Sequence, residues 1–101
     1  MSAELNTGTG LLTVQFNQPM QAGPTAAEQW TAVVNGAFGS HWGGSLGAFG
    51  AVVGSVATVP LIFSFDGPGV TNAAYAGPPR DVYSADGVRM ANQAVIPLTA
   101  V

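Results

Sequence analysis

Alternating hydrophobic and polar residues give the clearest structural signal near the start of the chain. In the segment 11–17, Leu12, Val14 and Phe16 alternate with polar residues. Because successive side chains of a β-strand point to opposite faces, this pattern predicts a half-buried strand. Pro19 ends the strand, since proline cannot donate a hydrogen bond to a sheet ladder.

Further short strands are predicted along the chain, separated by turn residues. They cover residues 30–35, 59–65, 70–76 and 91–98, with a short strand or turn at 82–83. The run 59–65 is nearly continuous in apolar residues, which indicates burial on both faces or a cover from a partner. A single helical turn is expected near Thr25 and Glu28, because their spacing fits a capping box.

These elements predict the fold class. No window shows apolar residues at a sustained helical period, so a helical bundle is disfavoured. Strand signals that recur about every eight to twelve residues are typical of a β-sandwich or barrel. A chain of 101 residues has the length of one domain. We therefore expect one all-β domain spanning residues 1–101, with the strand order in 36–69 left open by the glycine-rich stretch 36–54.

The very low charge of the chain bears on its partners. Charged residues make up 7% of the sequence, lysine is absent and the net charge is −3, whereas a usual charged fraction is about 25%. Without a basic patch, nucleic-acid binding through phosphate contacts is not expected. Low surface charge promotes association, so we expect an obligate or high-copy assembly.

The chemistry-bearing residues are few. The chain has no cysteine, and its single histidine, His41, excludes a metal site of several imidazoles within one chain. A Ser-His-Asp triad would need His41 beside Ser40 or Ser45 and an aspartate. We therefore predict no enzymatic activity, no cofactor and no metal site. Whether Asp81 and Asp86 hold a weakly bound calcium ion or serve ordinary turn chemistry stays open.

Aromatic residues in the uncharged stretch 36–54 are the candidate partner-binding residues. They are Phe38, His41, Trp42 and Phe49. Aromatic side chains in an uncharged setting make good contact anchors. The alternative for Trp42 and its neighbours is core packing, and the sequence leaves the two readings balanced.

Three segments resemble bacterial immunoglobulin-like repeats. Residues 12–20 (LTVQFNQPM) resemble the opening strand of such repeats, 27–32 (AEQWTA) the next segment, and 80–88 (RDVYSADGV) a late turn. Residues 91–98 would then form the closing strand. The stretch 36–54 is richer in glycine than a typical repeat, and Val88 stands where asparagine is usual. The resemblance implies an immunoglobulin-like β-sandwich of about seven short strands.

The resemblance also implies a function. Domains of this family occur as tandem repeats in bacterial surface proteins and as modules of bacteriophage virions. Residues 1–5 lack the basic and apolar regions of a secretory signal. We therefore expect a virion component, a capsid decoration protein or a tail-fibre module, that contacts copies of itself or other virion structural proteins. The alternative is an adhesive or carbohydrate-binding module at a bacterial cell surface.

A membrane span is considered for residues 46–63 and is not expected. The segment is mostly apolar, but serine, threonine, glycine and proline dilute its hydrophobicity. It also lacks flanking lysine or arginine to set an orientation.

Overall fold

A computed structural model describes residues 1–34, 39–64, 72–76, 82–91 and 93–101. These residues form ten strands: β1 Ser2–Asn6, β2 Leu11–Gln15, β3 Gly23–Ala26, β4 Trp30–Val34, β5 Ser40–Gly43, β6 Phe49–Val53, β7 Val56–Pro60, β8 Ile62–Ser64, β9 Ala73–Ala76 and β10 Gln93–Ala100. One turn of 3-10 helix, Ala27–Gln29, links β3 to β4. The predicted all-β class is confirmed. The strands number ten within these residues, where about seven were expected, and the immunoglobulin-like assignment stays a prediction.

The ten strands form one curled sheet in the order β3-β6-β7-β2-β1-β10-β9-β4-β5-β8. We call β3, β6, β7, β2 and β1 the first half, and β9, β4, β5 and β8 the second half. Strand β10 joins them, because its residues 93–97 pair with β9 and its residues 98–100 pair with β1. The β1–β10 pairing is parallel, and the other strand pairs are antiparallel.

The inward faces of both halves share one hydrophobic core. The first half contributes Leu5, Leu12, Val14, Val52, Ala57 and Val59, and the second half contributes Trp30, Ala32, Trp42, Ala74 and Ala76. Since a single cluster of buried side chains draws on both halves, the sheet curls over it. Burial of this apolar surface is the main favourable term in forming such a fold, at about 25 cal/mol per Å² removed from water.

The run 59–65 does not form a single strand buried on both faces, so that part of the prediction is wrong, and the cover from a partner stays a prediction. The chain leaves the first half at the end of β7, crosses at Leu61 and enters the second half as β8. The backbone N–H of Leu61 donates to the carbonyl oxygen of Gly10 at 2.8 Å, which fixes the crossing point. Beyond it, all three residues of β8 are exposed. Residue 65 lies outside the described residues.

The single helical turn before Trp30 is present, and it begins one residue later than the capping-box spacing from Thr25 predicts. The N-terminal cap of the turn is Ala26, which makes no side-chain cap hydrogen bond. Thr25 instead belongs to β3 and is fully buried. Its Oγ1 accepts a hydrogen bond from Nε1 of Trp30 at 3.0 Å. The threonine hydroxyl thus satisfies the only polar atom of a fully buried tryptophan side chain.

Candidate interaction surface

The four candidate partner-binding residues have different surroundings. Phe38 lies outside the described residues. His41 is half-buried on β5, where it stands in register with Val33 of β4 and Ser64 of β8. Its carbonyl oxygen accepts a hydrogen bond from Oγ of Ser64 at 3.2 Å. His41 therefore helps to hold the β5–β8 edge through its backbone.

Trp42, the next residue on β5, faces the core. It is only 6% exposed. Its ring lies 4.9 Å from the ring of Phe63, centroid to centroid, at an interplanar angle of 56°. Phe63 occupies the paired position on β8 and covers the tryptophan from the solvent side, being 53% exposed itself. Of the two readings that the sequence left open for Trp42, the structure agrees with core packing.

Phe49 begins β6 and points to solvent, with 60% of its surface exposed. The outward residues of β6 are Phe49, Ala51 and Val53, and the inward residues are Gly50 and Val52. Gly50 is needed on the inner side because a Cβ atom there would come within 2.5 Å of the carbonyl oxygen of Thr58. Close packing of β6 on β7 thus keeps Phe49 and Val53 on the outside.

The strands beside β6 extend this outer face. The register places Ala51 between Pro24 of β3 and Thr58 of β7, and Val53 beside Val56. We call this surface the β6 face; it consists of Leu11, Pro24, Ala26, Phe49, Ala51, Val53, Val56, Thr58 and Pro60. All nine residues are uncharged, and Thr58 alone carries a polar side chain. The β6 face is therefore an apolar sheet surface turned toward solvent.

The β6 face gives way to a polar groove on β1, β2 and β10. The groove has a volume of about 470 Å³ and is lined by Ser2, Ala3, Glu4, Thr13, Gln15, Pro97, Leu98 and Thr99. Glu4 stands in register with Thr13 of β2, which in turn pairs with Thr58 of the β6 face. Glu4 thus places a charge on β1, the strand directly beside β2, which carries Leu11 of the β6 face.

The structure places only some of the residues that were considered for catalytic or metal chemistry. Residues 43–47 read Gly-x-Ser-x-Gly, the pattern of a nucleophile elbow between a strand and a helix. Here Ser45 lies between two strands, β5 and β6, so the strand–turn–helix geometry is not made. Within the described ranges, no group of three His, Asp or Glu side chains is placed to hold a metal ion. Asp81 lies outside those ranges, and Asp86 is exposed in a turn.

The segment 46–63, considered as a membrane span, forms β6, β7 and part of β8. Among the residues described, none belongs to a helix long and apolar enough to cross a membrane.

The fold defines the class of this protein as all-β, with a single curled sheet over one core. No family model, no curated protein and no solved structure matches the chain.

The sequence reasoning missed most of the β6 face, since it singled out Phe49 alone. Val53 is 70% exposed, and Leu11 is also exposed, although both are large aliphatic residues on strands. A signal was present in residues 49–53, which read Phe-Gly-Ala-Val-Val. Apolar residues at both odd and even positions of a strand indicate that both of its faces are buried in the folded or assembled protein.

Proposed function

We propose that this chain is a non-catalytic structural protein of a bacteriophage particle, a capsid decoration protein or tail-fibre module, that acts through protein–protein contacts. The observation that carries the proposal is the β6 face, an apolar sheet surface exposed in a chain with 7% charged residues. Large exposed apolar patches mark interaction sites in soluble proteins. A surface of this kind suits a protein that is covered by neighbours in its working state.

The distribution of charge supports the same proposal. The charged residues Glu4, Glu28, Asp86 and Arg89 are exposed, and none of them belongs to the β6 face. Depletion of charge at the centre and its retention elsewhere is the usual composition of a protein–protein interface. The β6 face would be the centre of such an interface, with the polar groove around Glu4 at its rim.

An immunoglobulin-like sandwich is the form that we propose for the domain. The strand order β1-β2-β7-β6 in the first half corresponds to the A-B-E-D order of an immunoglobulin sheet, and β10-β9-β4-β5 to the G-F-C-C′ order. A buried tryptophan on the C strand is a hallmark of that fold, and Trp30 on β4 is fully buried. In this reading, β3 and β8 are additional edge strands.

The alternative function, an adhesive or carbohydrate-binding module, draws support from the polar groove. Hydroxyl, amide and carboxylate groups of Thr13, Gln15 and Glu4 line it, and such groups bind sugars. Trp42, one of the four candidate partner-binding residues, is buried. Glycan binding lost in Gln15→Ala and kept in Trp42→Phe would favour this alternative.

The test of the structural role is co-purification. An antibody raised against the recombinant chain is used to probe phage particles that are released from the source culture and banded on a density gradient. We expect the chain in the particle band at many copies per particle, with its amount measured by quantitative mass spectrometry. Recovery of the chain only in the soluble fraction, with none in the particle band, would contradict the proposal.

A further inference from the structure

We infer that the β6 face binds a second copy of this chain, face to face about a two-fold axis. The inference rests on the proposed function, because it names the partner for the same apolar surface. Three properties of the β6 face carry it: its area, its lack of charge and the sizes of its side chains along β6.

The area of the β6 face suits a contact between two copies. The exposed side chains of Phe49, Val53 and Leu11, together with Pro24, Ala51 and Pro60, leave about 500 Å² of this face open to solvent per copy. Two copies would bury at most about 1,000 Å² in total, which is the lower limit for a specific interface. A smaller partner that covered only one or two of these side chains would leave most of the face exposed.

The charge distribution of the chain permits a copy of itself to approach at this face. Two copies that each carry a net charge of −3 repel one another wherever their charged sides meet. The β6 face is free of charge, so two such faces approach without like charges opposing each other. In a two-fold interface, the same surface patch of both copies is in contact, so a charge in the patch would meet the like charge of the other copy.

The side-chain sizes along β6 also fit a two-fold contact. The outward residues run large, small, large: Phe49, Ala51 and Val53. A two-fold axis across β6 at Ala51, in the plane of the interface, places Phe49 of each copy opposite Val53 of the other. Packed sheets lie about 10 Å apart, so large side chains need room between them. The paired alanines at the axis leave that room for both phenyl rings.

The first experiment compares two exposed valines on strands. Val53 is 70% exposed on β6, and Val95 is 62% exposed on β10, outside the β6 face. Sedimentation velocity is run from about 5 to about 200 μM protein. We expect the wild type and Val95→Glu to dimerise with similar Kd values and Val53→Glu to raise the Kd at least about tenfold, because it places an unpaired charge in the contact. A monomeric wild type at about 200 μM, or equal effects of both substitutions, overturns the inference.

The second experiment tests the two-fold register through charge pairing. Phe49→Arg and Val53→Glu should each be monomeric alone, because each buries unpaired charges in its own dimer. Mixed together, they should form a heterodimer in which Arg at 49 of one copy faces Glu at 53 of the other. Circular dichroism spectra that match the wild type show that both variants fold. A mixture that stays monomeric while the wild type dimerises overturns the proposed axis.

These experiments separate the inference from the proposed function. A wild type that is monomeric in solution but present in banded particles refutes the dimer and leaves the structural role standing. A wild type that dimerises but is absent from particles refutes the structural role and leaves the dimer standing.

Discussion

Two adjacent glycines, Gly43 and Gly44, should respond to alanine substitution in opposite ways. A Cβ atom at position 44 would overlap the carbonyl group of Ala27 and the amide nitrogen of Glu28, whereas a Cβ atom at position 43 meets no atom within 4 Å. The backbone after β5 thus lies directly on the 3-10 turn, and only glycine permits that approach. Gly43 has no such neighbour, and its φ is not positive.

The loss of stability in Gly44→Ala can be estimated from the segments that must move to make room for the new methyl group. Relief of the overlap requires the segment after β5 to withdraw from the 3-10 turn. That movement stretches two hydrogen bonds, from Gly44 N–H to the Trp30 carbonyl at 3.3 Å and from Ala27 N–H to the Ala48 carbonyl at 3.1 Å. At about 1 kcal/mol for each bond and about 1–3 kcal/mol for overpacking, Gly44→Ala should lower the free energy of unfolding by about 3–5 kcal/mol.

For Gly43→Ala we expect no loss, and a gain of up to about 1 kcal/mol, because alanine restricts the unfolded chain. Urea unfolding followed by tryptophan fluorescence measures both variants, since Trp30 and Trp42 are buried in the folded state. The protein concentration is kept at about 1 μM so that association adds little to the measured free energy of unfolding. A difference between the two variants below about 1 kcal/mol would show that the close approach at Gly44 does not exist.

Two further predictions concern the tryptophans. Thr25→Val should lower the free energy of unfolding by about 1–3 kcal/mol, because it leaves the buried Nε1–H of Trp30 without its acceptor; Thr25→Ser keeps the hydroxyl and should recover most of the loss in the same urea experiment. Phe63→Ala should increase acrylamide quenching of Trp42 fluorescence because it removes the ring that covers the indole, and quenching that matches the Ile62→Ala control would contradict the geometry.

The alternation of apolar and polar residues predicted the buried face of individual strands. The alternation of Leu12, Val14 and Phe16 is confirmed, since all three are buried on one side of β2 and the residue after it. Alternation of apolar and polar residues is visible in the sequence, so the inner face of a strand can be predicted without knowing its neighbouring strands. The strand β1 was missed, although Ala3 and Leu5 alternate with exposed residues and a glycine-rich turn follows, because two apolar positions are too few to establish a period.

Long-range contacts decided what the sequence left open. Residues 59–64 of the predicted apolar run 59–65 are divided between the two halves of the sheet, because β7 pairs with β2 and β6 whereas β8 pairs with β5. The roles of Trp42 and Phe49 depend likewise on register. A shift of one residue turns a strand's side chains to the opposite face. Trp42 and Phe49 were both predicted as candidate partner-binding residues, but Trp42 is buried and Phe49 is exposed.

The parallel pairing of β1 with β10 has a mechanical consequence. Ala3, Glu4 and Leu5 lie beside Leu98, Thr99 and Ala100, so residue 1 and residue 101 lie at opposite ends of the paired segment. Force that pulls these two residues apart acts along the strands, nearly perpendicular to the hydrogen bonds between them. The bonds must then break together rather than one after another. This geometry resists stretching, and it would let the domain transmit tension along its length without opening its core.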